Sequence, residues 1–435
     1  MKKTLLAQAI LAALAGAPLA ACATEAELMQ RLDQMAAELK QMKAELAASQ
    51  QKTEALEQRQ NAQAAAPVVA VAGAAAEAAA STAASAPGAS TVLSSYGEVN
   101  YSRPHNDASA ARTDVARAVI GITHRFDERT KMVAEFEWEH AVTSATDSGE
   151  AAVEQLYVER EFGNGLRAKA GLFLIPAGLL NTNHEPTAYY GVQRNFIETA
   201  IIPSTWREAG VGLSSSMDTG LSWDLGLTTG FDLSKWDSTS EDGRASPLGS
   251  IHQEGQLAKS RHLAVHGALN WRGVPGLLLG GSVFTGNATQ GQAVAQARVT
   301  LWDLHARWQP GRWDFSTVYA RGSIGNTAAL NAALIGNDNL IPKGFDGWYA
   351  QGAYKLWSHE DYDLSPFVRW EQFNTARSYA ELGPGLTPTA GVTERVVTLG
   401  ANFQVSPGIV LKADYQTFRE NKDANRVNLG MGWNF

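Results

Sequence analysis

Apolar and polar residues alternate with a repeat of two along much of the chain. Within 131–140, Met132 and Trp138 share one face, whereas Lys131 and Glu135 share the other. Successive side chains of a β-strand point to opposite sides, so this repeat predicts strands with one apolar and one polar face.

The alternating segments and the turn residues between them predict sixteen antiparallel strands. These are 92–101, 113–126, 131–140, 151–162, 166–174, 209–216, 221–231, 261–271, 276–285, 295–308, 312–321, 346–357, 362–373, 393–403, 409–418 and 425–435. Every second connection is three to five residues long, whereas the others reach up to 34 residues at 175–208. Short turns on one rim and long loops on the other are typical of a bacterial outer-membrane barrel. We therefore expect an all-β transmembrane barrel of about sixteen strands over 91–435.

Aromatic residues collect at strand ends beside the short turns. They are Phe126, Phe162, Trp271, Trp308, Trp313, Trp357, Tyr362 and Phe403. Such a girdle is expected where a barrel meets the membrane–water interface. The chain ends on alternate apolar residues with Phe435 last, which looks like the signal read by the bacterial barrel-assembly machinery.

The first residues have the pattern of an export signal. Two lysines precede an apolar stretch over 5–20, too short for a spanning helix, and we expect a signal peptide over 1–23 with cleavage after Ala23. Residues 19–22 (LAAC) instead resemble a bacterial lipobox, which would leave Cys22 as a lipidated first residue. Both alternatives predict an exported protein.

A heptad repeat follows over 24–60. Its seam alternates spacings of four and three, and comprises Leu28, Leu32, Met35, Leu39, Met42, Leu46, Ser49, Thr53 and Leu56. Charged residues occupy the other faces, which favours an α-helical coiled coil over a helix packed on a globular core. Residues 61–90 have no repeat, and we interpret them as an Ala/Pro/Ser-rich tether. When the strand number is even, the chain enters and leaves the barrel on the same rim, here the rim with the short turns. That rim is periplasmic, so the coiled coil is expected in the periplasm.

Composition excludes several classes of protein. No apolar run reaches 18 residues, which excludes a bundle of membrane-spanning helices. The formal net charge of −8 argues against a nucleic-acid partner, and the single Cys22 excludes an intramolecular disulfide. No phosphate-binding loop, HExxH motif or nucleophile elbow is present, so we expect no enzyme activity and no cofactor or metal.

Five segments of the barrel region carry a family resemblance. They are 171–176 (GLFLIP), 364–371 (LSPFVRWE), 398–403 (TLGANF), 410–415 (VLKADY) and 428–435 (NLGMGWNF). With these segments the chain resembles the bacterial trimeric porins, and among them the porin O/P (phosphate-selective porin) group. The resemblance implies a homotrimer of sixteen-stranded barrels with an N-terminal periplasmic segment. Phosphate-selective members line the pore with arginines and lysines, a ladder that has no residue-by-residue match here.

Selectivity in so wide a barrel requires a constriction, usually a long loop folded into the lumen. The loop 175–208 is the candidate because it combines mixed charges with apolar residues able to pack on the inner wall; the alternative is an external, solvated loop. Its predicted constriction residues are Tyr189, Tyr190, Arg194, Glu198, Arg207 and Glu208. The residues predicted to line the lumen wall are Lys131, Glu135, Arg167, Lys169, Arg369, Glu371 and Lys412. By the same alternation, Arg117, Arg125, His305 and Arg307 also face the lumen.

In one segment, the alternation of inward and outward residues places charged side chains on the lipid-facing side. In 151–162, the parity that places Leu156 and Val158 on the exterior also places Glu154 and Arg160 there, where lipid would oppose them. The conflict indicates either a subunit interface or an error in the assigned parity.

The sequence therefore predicts a porin in the outer membrane of a Gram-negative bacterium, forming a water-filled channel for passive diffusion of small hydrophilic solutes. Arg167, Lys169, Arg194 and Arg207 concentrate positive charge inward, so a weak preference for small anions is expected. Expected partners are outer-membrane lipid, two further copies of the chain, the barrel-assembly machinery through Phe435, and the cell wall through the coiled coil. The alternative function is a structural anchor that tethers the envelope through its coiled coil.

Overall fold

The computed structural model describes residues 90–144, 148–294 and 296–435. The predicted signal peptide, the coiled coil and all but the last residue of the tether lie outside these residues and stay predictions. In the described part of the chain the backbone forms sixteen antiparallel strands. They are β1 Ser90–Pro104, β2 Arg112–Arg125, β3 Thr130–Glu139, β4 Glu150–Gly163, β5 Leu166–Leu174, β6 Arg207–Ser216, β7 Leu221–Thr228, β8 Ala264–Val274, β9 Leu277–Asn287, β10 Arg298–Trp308, β11 Trp313–Ile324, β12 Gly344–Tyr354, β13 Tyr362–Ser378, β14 Glu394–Ser406, β15 Ile409–Phe418 and β16 Arg426–Asn434.

The sheet closes on itself into a barrel. Each strand pairs with its neighbours in sequence, and β1 pairs with both β2 and β16. The short segment Trp357–His359 prolongs β12 and pairs with β13. Beyond β16, the amide of Phe435 donates to the carbonyl of Ser95 at 2.9 Å. Closure satisfies the backbone groups that an open sheet edge would leave unpaired. The predicted sixteen-stranded barrel is confirmed.

The two faces of the strands differ as the alternation predicts. In β10, Trp302 and Leu304 are exposed on the barrel exterior, whereas Asp303 and His305 are buried on the lumen side. The same inward and outward alternation runs through β11 and β15. The barrel interior, and not its exterior, therefore carries most of the charged wall residues.

The two rims differ in connection length. The seven short connections lie at 126–129, 164–165, 217–220, 275–276, 309–312, 355–361 and 407–408. The other rim carries the long loops, of which 229–263 and 175–206 are the longest. The predicted loop ended at residue 208, but β6 begins at Arg207, so Arg207 and Glu208 are strand residues.

Two β-bulges interrupt the pairing among the first four strands. The register of β1 and β2 shifts at Glu98, and that of β3 and β4 shifts between Gln155 and Val153, which leaves Glu154 as the additional residue. A bulge reverses the parity of the residues beyond it. Glu154 is consequently buried on the lumen side, and its predicted exterior position is wrong; Arg160, by contrast, is exposed.

Helical segments are short in the described residues. They are Ala108–Ala110, Ile197–Ile201, Leu233–Lys235, Asp242–Ala245, Gly249–Ile251, Thr327–Asn331 and Lys422–Ala424. A search of the described residues finds no helix with the length and apolar character needed to cross a membrane.

Candidate pore constriction and lumen wall

The loop 175–206 folds into the barrel. Thr182 is its one exposed residue, whereas Ile197, Ile201 and Trp206 have no exposed surface. This loop therefore satisfies the main condition for a constriction, and the external, solvated alternative is excluded.

Apolar contacts hold the loop against one side of the wall. Trp206 stacks on Phe231 of the loop 229–263 with ring centroids 5.2 Å apart, and meets Phe284 of β9 edge-on at 4.6 Å. These rings belong to a buried cluster that includes inward residues of β10, β11 and β12. Removing this apolar surface from water stabilises the folded position of both loops.

The inner wall changes character along these strands. Near the long-loop rim β10 and β11 present apolar residues such as Val299, Leu301 and Ile324. Toward the short-turn rim the same faces present Asp303 and Asp314, with other polar residues. The loops pack on the apolar part, and the loop 175–206 also reaches the polar part, where the Gly178 amide donates to Asp303 at 3.2 Å.

A buried ion pair on β13 fixes the middle of the loop. Arg369 and Glu371 lie 2.8 Å apart, and both are almost completely buried. The guanidinium also donates to the carbonyl oxygens of Tyr190 at 3.1 Å and Gln193 at 3.4 Å, while Glu371 accepts from the Phe196 amide at 2.7 Å. Both residues were predicted to line the wall, and their charges are directed at the loop backbone.

Strands β14 and β15 hold the preceding residues of the loop. Asn402 accepts from the Gly191 amide at 3.1 Å, and Asp414 accepts from the Val192 amide at 2.7 Å. Lys412 places its ammonium 3.5 Å from the centroid of the Tyr189 ring. The loop is therefore bound to consecutive strands across a wide arc of the lumen.

The two predicted tyrosines contact opposite parts of the wall. Tyr189 donates to Glu98 of β1 at 2.8 Å, and Tyr190 donates to Asp314 of β11 at 3.3 Å. Burial raises the pKa of the Tyr189 hydroxyl, so it remains a donor. Both side chains brace the loop between distant strands.

Arg194 and Glu198 form bonds within the loop. Arg194 donates to the hydroxyls of Ser204 at 2.7 Å and Thr205 at 2.9 Å. Glu198 accepts from the amides of Leu179 and Leu180, both at 2.6 Å. Burial raises the pKa of the Glu198 carboxyl in spite of these donors. Their predicted role in ion selectivity stays a prediction, since their observed contacts maintain the shape of the loop.

Arg207 and Glu208 stand at the start of β6. Arg207 pairs with Glu254 of the loop 229–263 at 3.0 Å. Glu208 is fully buried and accepts from the Trp206 indole at 3.2 Å. The contribution of 229–263 was not predicted, although the length of this segment and apolar residues such as Phe231 are visible in the sequence.

Arg207 also faces a cavity of about 240 Å³ between the loops and the wall of β3 and β4. The wall side carries carboxylates, and the loop side carries Arg207, His252 and Glu254; the lining residues are Glu137, Glu139, Glu150, Ala152, Ser204, Thr205, Arg207, His252 and Glu254. Burial lowers the pKa of His252, which favours the neutral imidazole. The carboxylates of the wall therefore face a loop side on which the one guanidinium is already paired with Glu254.

Most predicted wall cations have a carboxylate partner. Lys131 pairs with Glu159 at 3.1 Å, Lys169 with Asp224 at 3.1 Å, and the Nη2 of Arg307 with Asp314 at 2.7 Å. Arg167 is half-buried and donates to the Ser216 hydroxyl at 3.4 Å. Glu135 accepts from Gln155 at 2.6 Å. The carboxylate partners share the inward parity of the predicted residues, so the same alternation could have found them.

Comparison with known proteins places this arrangement in a fold class. No family model matches the chain. A protein of Aquifex aeolicus (strain VF5) described as uncharacterized is 29% identical over 355 residues, which cover 79% of both chains.

Three solved structures share the fold at low identity. Salmonella typhi OmpF in complex with daunomycin has a TM-score of 0.54 and 13% identity, over 79% of this chain and 97% of that chain. A loop L8 deletion mutant of Vibrio cholerae OmpT has a TM-score of 0.51 and 10% identity, over 80% and 99%. The anion-selective porin from Comamonas acidovorans has a TM-score of 0.50 and 11% identity, over 80% and 100%. The described barrel therefore has the fold of bacterial outer-membrane porins, while the narrower resemblance to the porin O/P group is not supported.

Proposed function

We propose that this protein is a channel for passive diffusion of small hydrophilic solutes across the outer membrane of a Gram-negative bacterium. The observation that carries the proposal is a closed barrel with an apolar exterior, a charged inner wall and a long loop held inside the lumen. Charged groups on the lumen side keep water there, and the inward loop limits the size of the passing solute.

The exterior supports placement in a membrane. Leu304, Leu269 and Leu399 are exposed on different strands, and aromatic residues at strand ends flank the short turns. A lipid-facing band bordered by aromatic girdles is the arrangement of transmembrane barrels. The short-turn rim is then periplasmic, and the chain acts without catalysing a reaction.

Conductance in planar bilayers tests the channel. We expect the purified, heat-modifiable protein to produce stable conductance steps. A homotrimer, which we also propose, would show these steps in groups of three. Correctly folded protein that inserts without conducting would contradict the channel, whereas conducting protein with independent single steps would contradict the trimer alone.

We further propose a weak preference for small anions. Arg125 is exposed on the inner wall near the short-turn rim, where water keeps its guanidinium accessible. Several neighbouring lysines and arginines are neutralised by paired carboxylates, so the preference should be small.

Reversal potentials in asymmetric KCl test this preference. The substitution Arg125→Gln should reduce the ratio of anion to cation permeability. Arg321→Gln is the matched control, because Arg321 is exposed on the barrel exterior of β11. A clear cation preference of the unmodified protein would contradict the proposal and would point to Glu139 and Glu150 at the cavity as the filter.

A further inference from the structure

A cluster of charged residues lies on the inner wall of β1 to β4, apart from the Arg369–Glu371 pair of β13. It contains four carboxylates and one guanidinium: Glu98, Glu135, Glu137, Glu154 and Arg117. Arg117 binds Glu98 at 3.0 Å and Glu137 at 3.3 Å. Its single positive charge does not balance three buried carboxylates and the half-buried Glu135.

The β-bulge in β4 directs Glu154 into this cluster. Val153 and Leu156 are both exposed on the exterior, although two residues, Glu154 and Gln155, lie between them. Strict alternation allows one residue between two exterior positions, and the bulge accommodates the second. Glu154 has no exposed surface. Bulges re-aim side chains in this way beside functional sites.

His184 of the loop faces Glu154 with a defined ring nitrogen. Its Nδ1 lies 3.0 Å from the carbonyl oxygen of Asn181, which only accepts, so Nδ1 carries a proton and donates. Its Nε2 lies 2.6 Å from the Tyr96 hydroxyl oxygen and 3.7 Å from Oε1 of Glu154. A backbone partner on one ring nitrogen is the usual support for a histidine that binds a metal through the other.

Glu154 and His184 offer more acceptor atoms than the neighbouring side chains have protons to donate. The Tyr96 hydroxyl also lies 2.7 Å from Oε2 of Glu154, and its single proton serves either Glu154 or His184. Oε1 of Glu154 has no hydrogen-bond partner among the described residues, although it is buried. A buried oxygen without a donor is unfavourable unless another positive group lies near it.

Glu135 completes a set of three ligands. One donor atom each from Glu135, Glu154 and His184 lies within 4.8 Å of the others. Ligand atoms around a tetrahedral Zn²⁺ at about 2.1 Å are roughly 3.4 Å apart, so small side-chain rotations bring the three into range. Gln155 holds the other oxygen of Glu135 at 2.6 Å.

We propose that Glu135, Glu154 and His184 bind one divalent transition-metal ion, with water in the remaining position. An imidazole with two carboxylates suits Zn²⁺ better than Ca²⁺ or Mg²⁺, which prefer oxygen ligands alone. The ion would connect the loop 175–206, through His184, to β3 and β4. This site is independent of the proposed transport function.

Zinc titration of the full-length protein in detergent, after treatment with a chelator, tests the site. We expect Glu154→Gln to lose one bound Zn²⁺ per chain, with at least about a tenfold to hundredfold loss of affinity. His266→Gln is the matched control, because His266 is another buried imidazole beside a carboxylate, 2.9 Å from Asp224. Equal zinc binding by the Glu154→Gln variant and the unmodified protein would overturn the proposal, as would equal affinity for Ca²⁺.

A measurement on the unmodified protein makes the test independent of variant folding. Anomalous diffraction at the zinc edge should place the ion among Glu135, Glu154 and His184. X-ray absorption should show one imidazole nitrogen and no sulfur in its coordination shell. Absence of a zinc peak at these residues, or a peak found only elsewhere, would show that the cluster holds no metal and would overturn the proposal.

Discussion

Replacing Arg369 with glutamine should release the loop 175–206 from β13. The guanidinium pairs with Glu371 at 2.8 Å and donates to the carbonyl oxygens of Tyr190 and Gln193. Glutamine preserves much of the volume but removes the charge and most of the donors. The Glu371 carboxylate would then be buried with the Phe196 amide as its remaining loop donor.

The magnitude follows from this burial. Removing one partner of a buried ion pair costs about 3–5 kcal/mol, because the remaining charge is left uncompensated. Replacing both residues with glutamine removes that charge, so the double variant should lose less than the sum of the single losses, by about 0.5–3 kcal/mol.

Urea unfolding in lipid vesicles, followed by tryptophan fluorescence, measures these free energies. Single-channel recording of the same variants should show a larger and noisier conductance for Arg369→Gln. The control is Lys355→Gln, since Lys355 pairs with Asp363 at 2.7 Å but remains 46% exposed, and exposed pairs contribute at most about 1 kcal/mol. Equal losses for Arg369→Gln and Lys355→Gln, with unchanged conductance, would refute the view that this pair holds the loop.

Three other changes test the apolar contacts. Trp206→Ala should lower the free energy of unfolding by about 3–5 kcal/mol, since Trp206 is fully buried between Phe231 and Phe284; a smaller loss in the urea titration would mean that the loops do not share this core. Leu304→Arg should cost about 2–4 kcal/mol in lipid vesicles, and a neutral effect there would contradict a lipid-facing position. Deletion of 24–60 should leave conductance intact but lower the temperature at which the oligomer dissociates on gels, because apolar burial in the coiled coil is lost; an unchanged temperature would show that this segment does not stabilise the oligomer.

The sequence alone determined the barrel. Period-two alternation, such as that of Trp302 and Leu304 against Asp303 and His305, is local, and it remains readable because one face contacts the lumen and the other the exterior. Alternating short and long connections gave the strand count without any knowledge of pairing. The predicted bounds of β15 agree with the structure, since its turns are sharp and its parity unbroken.

Only the tertiary structure decided what the charged residues contact. Arg194 and Glu198 were predicted to face a pore, but Arg194 donates within its own loop, and Glu198 accepts from loop amides and from Tyr349 of β12 at 3.4 Å. Arg369 and Glu371 have the predicted inward parity, yet their function depends on a loop distant in sequence. Parity tells which side of the wall a residue occupies and contains no information on which loop approaches that side.

The bulge at Glu154 shows the same limit within a strand. Parity placed Glu154 on the exterior, and the conflict with lipid was visible in the sequence, but one inserted residue turns the side chain to the lumen. The position of a bulge depends on the register with β3, which the sequence of β4 does not contain. The cluster of Glu135, Glu154 and His184 therefore appears only when two strands and a loop are brought together in space.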